Sequence, residues 1–198
     1  TGKPNLQEAT ENFYKKNFQD ALKFFNLSLE EELAKPTKDN NTIISIYLHI
    51  GKSHMNLGNH EEGIEFHNKA LEHSLKINGE NSTITEEVIY ELAHIQQYLG
   101  EYDEAIKLFT RSYEIMKKLN GENNHETALR HLCIGNVYML QGKYSEALTF
   151  FKQGQEVILK TVGPEHLNNA TALVNIGMIA CVNGNFTEAL DLQNQALE

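Results

Sequence analysis

Three groups of residues have types and spacing that chemistry could use. Gly51-Lys52-Ser53 has the ending of a phosphate-binding loop, where glycine amides cradle phosphates and a lysine neutralises them. Such a loop needs a further glycine where Ile46 stands, and a strand ahead of it; the apolar spacing here places the triplet inside a helix. His60, His67 and His73 share one predicted helix, but only residues three or four apart line one face closely enough to grip a metal together. Their columns hold Tyr102 and Phe109 one period later, so His60 and His67 read as core substitutes. Cys133 and Cys181 lie 48 residues apart, too few and too distant for a disulfide framework or a zinc site. No nucleophile stands beside a base at readable spacing. The expectation is a non-enzymatic protein with no cofactor and no metal.

Composition narrows the class further. Hydrophobic residues make up 40% of the 198, which suits a folded chain and is too many for a disordered one. No apolar run is long enough to cross a membrane, and no secretory leader is visible. Asn-x-Ser/Thr triplets such as Asn81-Ser82-Thr83 therefore read as chance, and both cysteines as reduced, semi-buried small hydrophobes in a cytosolic or nuclear protein, with a cytoplasmic location expected. The net charge of -10 argues against nucleic acid, which needs a basic surface, and suits a basic or mixed-charge partner.

The elements that would position any site repeat every 42 residues. Gly142-Lys143-Tyr144-Ser145-Glu146-Ala147 returns as Gly100-Glu101-Tyr102-Asp103-Glu104-Ala105, as Gly58-Asn59-His60-Glu61-Glu62-Gly63 and as Gly184-Asn185-Phe186-Thr187-Glu188-Ala189. A worn copy is Lys16-Asn17-Phe18-Gln19-Asp20-Ala21. The spacing predicts helices over 5–15, 18–35, 42–57, 60–77, 83–99, 102–119, 125–141, 144–161, 167–183 and 186–198. Glycines 58, 100, 142 and 184 end the first helix of each pair, and Gly79, Gly121 and Gly163 sit in the longer links. Pro36 stops the second helix, and Thr83 with Glu86 fits a capping box. Asp20, Glu62, Glu104, Glu146 and Glu188 place an acid in the first turn of every second helix, where the dipole favours it.

The core columns keep the same step. Ala9, Gly51, Ala93, Gly135 and Gly177 are small; so are Ala21, Gly63, Ala105, Ala147 and Ala189 on the second helices. Phe25, Phe109 and Phe151 fill one large slot; Ile50, Leu92, Ile134 and Ile176 fill another. A helix pair with one apolar face cannot stand alone, so neighbours must stack. Residues 1–4 read as a linker. The repeats fall at about 5–40, 41–80, 81–122, 123–164 and 165–198, the last one truncated. Ala196 and Leu197 would face an absent neighbour, which suggests a fragment of a longer protein or self-association through an open C-terminal end.

Gly135, Gly142, Tyr144, Ala147 and Phe151 in this order resemble the tetratricopeptide repeat. The usual period is about 34 residues, and the longer period here resembles kinesin light chains and Pins-type adaptors. Gly163-Pro164-Glu165-His166, followed by Ala170, Asn175, Gly184 and Ala189, is similar to a kinesin-light-chain repeat, with Leu167 in place of a second proline. Leu57-Gly58-Asn59 and His67 look more like the Pins type. The resemblance implies an all-α fold, a right-handed superhelical array of antiparallel helix pairs. It also implies a concave groove, lined by the first helices, that binds a partner's peptide or helix.

Carried over by offset, the groove positions are Ser45, Leu48, Lys52 and Met55; Glu87, Tyr90, His94 and Gln97; Leu129, Leu132, Asn136 and Met139; Thr171, Val174, Met178 and Cys181. Asn175 matches an asparagine that, in the family, bonds a bound peptide's backbone, although His49, Glu91 and Cys133 occupy the equivalent positions in other repeats. The carboxylate clamp of some family members is not matched: Leu6, Thr10, His49, Glu87 and Glu91 stand there, and two acids would repel a carboxylate. The later half of the groove reads apolar and the earlier half polar, which fits a partner segment with a defined direction. The other reading of the apolar residues is packing between repeats. Three functions remain open. One is an adaptor scaffold for cargo transport or for cytoskeletal or ciliary assembly. Another is the sensing region of a larger signalling enzyme or nucleotide-dependent switch. The third is an end-to-end structural array.

Overall fold

A computed structural model describes residues 4–197. They form ten helices in chain order: α1 Asn5–Tyr14, α2 Phe18–Ala34, α3 Asn40–Asn56, α4 His60–Asn78, α5 Thr83–Leu99, α6 Tyr102–Asn120, α7 His125–Leu140, α8 Tyr144–Thr161, α9 Leu167–Val182 and α10 Phe186–Gln195. The expected boundaries hold to within a few residues. The described chain divides after Val88 into two compact units, so α5 begins in the first and continues in the second. The expected linker falls mostly on residues 1–3, outside the described residues, and α10 ends at Gln195 rather than running to 198.

Each helix pair closes through the same turn. The amide of the residue after the turn bonds back five residues in every copy: Asn17 to Asn12, Asn59 to His54, Glu101 to Gln96, Lys143 to Tyr138 and Asn185 to Ala180, all 2.9 Å. This 6→1 bond requires a left-handed residue just ahead of its donor. Gly58, Gly100, Gly142 and Gly184 supply it with φ of 82°, 83°, 74° and 82°. In the worn first copy Lys16 is forced there instead, at φ 62°.

Small-against-large packing builds each pair. A Cβ added at Gly135 would lie 2.8 Å from the Phe151 ring, and one added at Gly51 would lie 2.4 Å from the His67 ring. The large column is Phe25, His67, Phe109 and Phe151, all at most 1% exposed. His67 fills the slot as an imidazole whose Nδ1 lies 2.7 Å from the Gly63 carbonyl, which gives that nitrogen a partner inside the core. The Ile50, Leu92, Ile134 and Ile176 column is buried as expected.

Two local expectations are corrected. The cap of α5 is Ser82, not Thr83: the Ser82 hydroxyl accepts from the Thr85 amide at 3.1 Å. Thr85 turns inward, donating to the Gly79 carbonyl at 2.7 Å and meeting Ser74 at 2.7 Å, so the cap falls one residue earlier than the capping box placed it. Cys133 is buried, but Cys181 is exposed rather than semi-buried.

Nothing lies within 4 Å of a Cβ added at Gly142, so only its backbone conformation requires glycine. Gly142→Ala is expected to cost about 1 kcal/mol of unfolding free energy, measured as a lower denaturation midpoint at unchanged slope.

Candidate functional site

In the first unit, Leu48 is only 7% exposed, so it belongs to the core and not to an open face. Lys52 is half-buried. Met55 is also half-buried, and a Cβ added at Gly63 would lie 2.6 Å from its sulfur, so the thioether is packed into the space beside α4. The three histidines diverge: His67 is buried, His60 is half-buried, and His73 pairs through Nε2 with the Asn40 side-chain oxygen at 3.0 Å. Gly51-Lys52-Ser53 lies inside α3, with Gly51 pressed against His67. Among the described residues, no group of three or more His, Cys, Asp or Glu could hold a metal ion. No helix among them is long and apolar enough to cross a membrane.

The second unit assembles more of the expected positions. Asn175, 6% exposed on α9, donates its amide to the Asn136 side-chain oxygen on α7 at 3.0 Å. A buried amide needs such a partner, and this bond ties the two first helices together. Val174 (39%) and Met178 (38%) flank Asn175 on the exposed side of α9. Leu129 and Met139 are half-buried against the core formed by Ala128, Phe151 and Ile176. Leu132 is corrected: it is 1% exposed, and its Cδ2 would lie 2.8 Å from a Cβ at Gly154, so it is a core residue between α7 and α8. Its counterpart one period later, Val174, is exposed.

Tyr90 sits over a cation that the sequence analysis did not single out, and His94 packs edge to face against Tyr90. Arg130 is only 8% exposed, in a column otherwise filled by Ile46, Val88 and Ala172. Its guanidinium lies 4.3 Å from the Tyr90 ring centroid. Its Nε donates to the Ser112 hydroxyl and its Nη1 to the Glu126 carbonyl, both at 3.2 Å. A buried guanidinium needs hydrogen-bond partners, and an aromatic face adds cation–π attraction. The signal was legible: arginine occurs only at 111 and 130, and the second interrupts an apolar column. The Tyr90 hydroxyl reaches the Cys133 sulfur at 3.5 Å. The His94 ring meets Tyr90 at 4.6 Å and Phe109 at 4.9 Å, edge to face.

Burial is the first cause that holds His94 below the usual imidazole range; Arg130 lowers it further and Glu91 opposes both. His131, stacked on Tyr113 at 4.5 Å, is also lowered by burial. A base held neutral in the fold takes up its proton more readily when unfolded. Stability is therefore present above the unfolded value near 6.5 and lost as pH falls below it. NMR titration is expected to place both midpoints below about 6.5, and Arg130→Gln should raise that of His94.

The sequence profile of the tetratricopeptide repeat matches residues 42–118, 85–132 and 126–198. No curated protein sequence matches the chain. Solved structures share its fold at low identity. BtubC (BKLC) from P. vanneervenii aligns at 18% identity and a TM-score of 0.82, over 95% of this chain and 75% of that one. A Podosopora anserina protein with nearly identical TPR-like repeats, designated a kinesin light chain, aligns at 18% and 0.78, over 97% and 91%. A Pyrococcus horikoshii signal-transduction ATPase with numerous domains, described as having a tetratricopeptide-repeat sensor, aligns at 19% and 0.75, over 98% of this chain and 29% of that one.

Proposed function

The chain belongs to the tetratricopeptide-repeat family, and from that premise we propose that it is a protein-interaction module whose working surface in the second unit is the face shared by α7 and α9. The observation that carries this reading is the Asn175–Asn136 bond set between exposed Val174 and Met178 and half-buried Leu129 and Met139. Apolar side chains offer contact area to a partner's own apolar residues, while the two amides fix orientation. The amide pair can exchange its internal bond for bonds to a partner's backbone, because each side chain carries both a donor and an acceptor. The surface is ordered before binding, so ordering entropy is spent in folding and not again in recognition.

Cargo attachment or cytoskeletal assembly in the cytoplasm is the process this reading favours. Its support is the 42-residue period and the fold shared with the kinesin-light-chain-type repeats. The fold likeness to the sensor-bearing ATPase supports a second reading, in which the same face holds other domains of a larger switch until a ligand displaces them.

The test is affinity capture with the native chain beside a Val174→Glu, Met178→Glu double variant. Both positions are exposed, so circular dichroism should show unchanged helix content. A partner retained by the native chain and lost from the folded variant is the expected result. Equal capture by both would remove the α7–α9 face as the working surface.

A further inference from the structure

One position near the start of each second helix changes from acid to hydroxyl along the chain. Three residues past each turn glycine stand Glu61, Asp103, Ser145 and Thr187, with Gln19 in the worn copy, and all five are exposed. The acid at 103 has a partner in the next repeat. The side chain of Gln141, the residue after α7, donates to the Asp103 carboxylate at 2.9 Å and ties the start of α6 to the end of α7. One repeat on, the same two places hold Ser145 at the start of α8 and Asn183 just after α9. The amide is kept and the carboxylate is replaced by a hydroxyl.

The two seams are packed alike. Ala105 and Phe109 of α6 share a core with Ile134 and Val137 of α7; Ala147 and Phe151 of α8 share one with Ile176 and Ile179 of α9, each residue 42 positions after its counterpart. Only the tie at the rim differs. Serine oxygen lies one bond nearer Cβ than an aspartate oxygen, and asparagine nitrogen one bond nearer than glutamine nitrogen. The pair therefore falls short, and among the described residues no hydrogen bond joins Ser145 to Asn183. A phosphate on Ser145 reverses this. Its terminal oxygens lie one bond farther from Cβ than those of aspartate, which offsets the shorter asparagine. Phosphorylated Ser145 with Asn183 thus spans the same reach as Asp103 with Gln141.

We propose that Ser145 is a phosphorylation site whose phosphate closes the seam between the fourth and fifth repeats by accepting the Asn183 amide. Asp103 closes the preceding seam permanently in the same way. In the transfer the Ser145 oxygen bonds to the terminal phosphorus of a nucleoside triphosphate, and the bond from that phosphorus to the bridging oxygen breaks. The nucleoside diphosphate leaves, and the hydroxyl proton passes to the catalytic base of a protein kinase. The product carries roughly −2 charge at neutral pH and strong acceptor oxygens. Lys143, two residues earlier, favours that charge, and the adjacent Glu146 opposes it. Ser145 is exposed, so an enzyme can reach it. The inference rests on the seam bond and is independent of the α7–α9 face.

The modification is sought on the protein isolated from its source cells with phosphatases inhibited. Trypsin cleaves after Lys143 and Lys152, and fragmentation of the 144–152 peptide is expected to place phosphate on Ser145. A peptide found unmodified, or modified only at Tyr144 or Thr149, overturns the proposal. The seam is tested on the chain carrying genetically encoded phosphoserine at position 145, read by amide hydrogen exchange. Amides at the end of α9, from Ile179 to Asn183, are expected to exchange about tenfold more slowly than in the unmodified chain. Asn183→Ala should remove that gain. Asp103→Ser should speed exchange at the end of α7 by a similar factor, because it cuts the equivalent tie. Equal exchange with and without phosphate, a gain that survives Asn183→Ala, or no change on Asp103→Ser overturns the proposal.

Discussion

The close approach of two helices at a residue without a side chain is the constraint on which the rest depends. Gly135 lets the Phe151 ring come within 2.8 Å of where a Cβ would be, and Gly51 lets the His67 ring come within 2.4 Å. Alanines at 9 and 93 hold the column elsewhere with no exposure. Once one helix pair closes this way, its buried aromatic fixes the rotation of both helices. That rotation determines which side chains of the first helix face the next repeat and which remain outside. Asn136, one residue after Gly135, and Asn175, two before Gly177, are placed by that rotation, and so their 3.0 Å bond follows from the pair packing.

The turns serve the same constraint from the other side. Two helices can meet along their small columns only if the chain reverses within very few residues. A left-handed glycine followed by the 6→1 bond does this in four repeats. The first repeat keeps the bond while using Lys16, which shows that the hydrogen-bonded geometry, more than the residue type, is what the repeat retains. Strain of order 1 kcal/mol at a non-glycine residue is small against a pair core that includes Ala9, Ala21 and Phe25.

Much of this was legible because periodicity reports on packing directly. Columns of small and large residues predicted both the helix pairs and the buried slot that His67 fills. What the columns could not report is what covers each residue. Leu132 and Val174 share a column, yet Leu132 lies in the α7–α8 core and Val174 is exposed. Offset arithmetic assigns direction on a helix and says nothing of the neighbour that closes over it. Arg130 was missed although it visibly interrupts an apolar column, because a lone charge in such a column does not name the partners that bury it. Ser112 and the Tyr90 face, which make its burial tolerable, come from two other helices far away in sequence. Ser82 displaced Thr83 as a cap because side-chain competition within one turn is decided by rotamers, which sequence spacing does not encode.

The proposed recognition surface on α7 and α9 requires a face that is rigid before any partner arrives. Amide hydrogen exchange of the free chain tests this most directly. The amides of α7 and α9 around Gly135 and Gly177 should be among the slowest in the second unit, exchanging together with the α8 amides around Phe151, because one packed core protects all three helices. If α7 and α9 instead exchange as fast as the links at Gly121 and Gly163 while α8 stays protected, the face is not built by the pair core, and the account fails at its foundation.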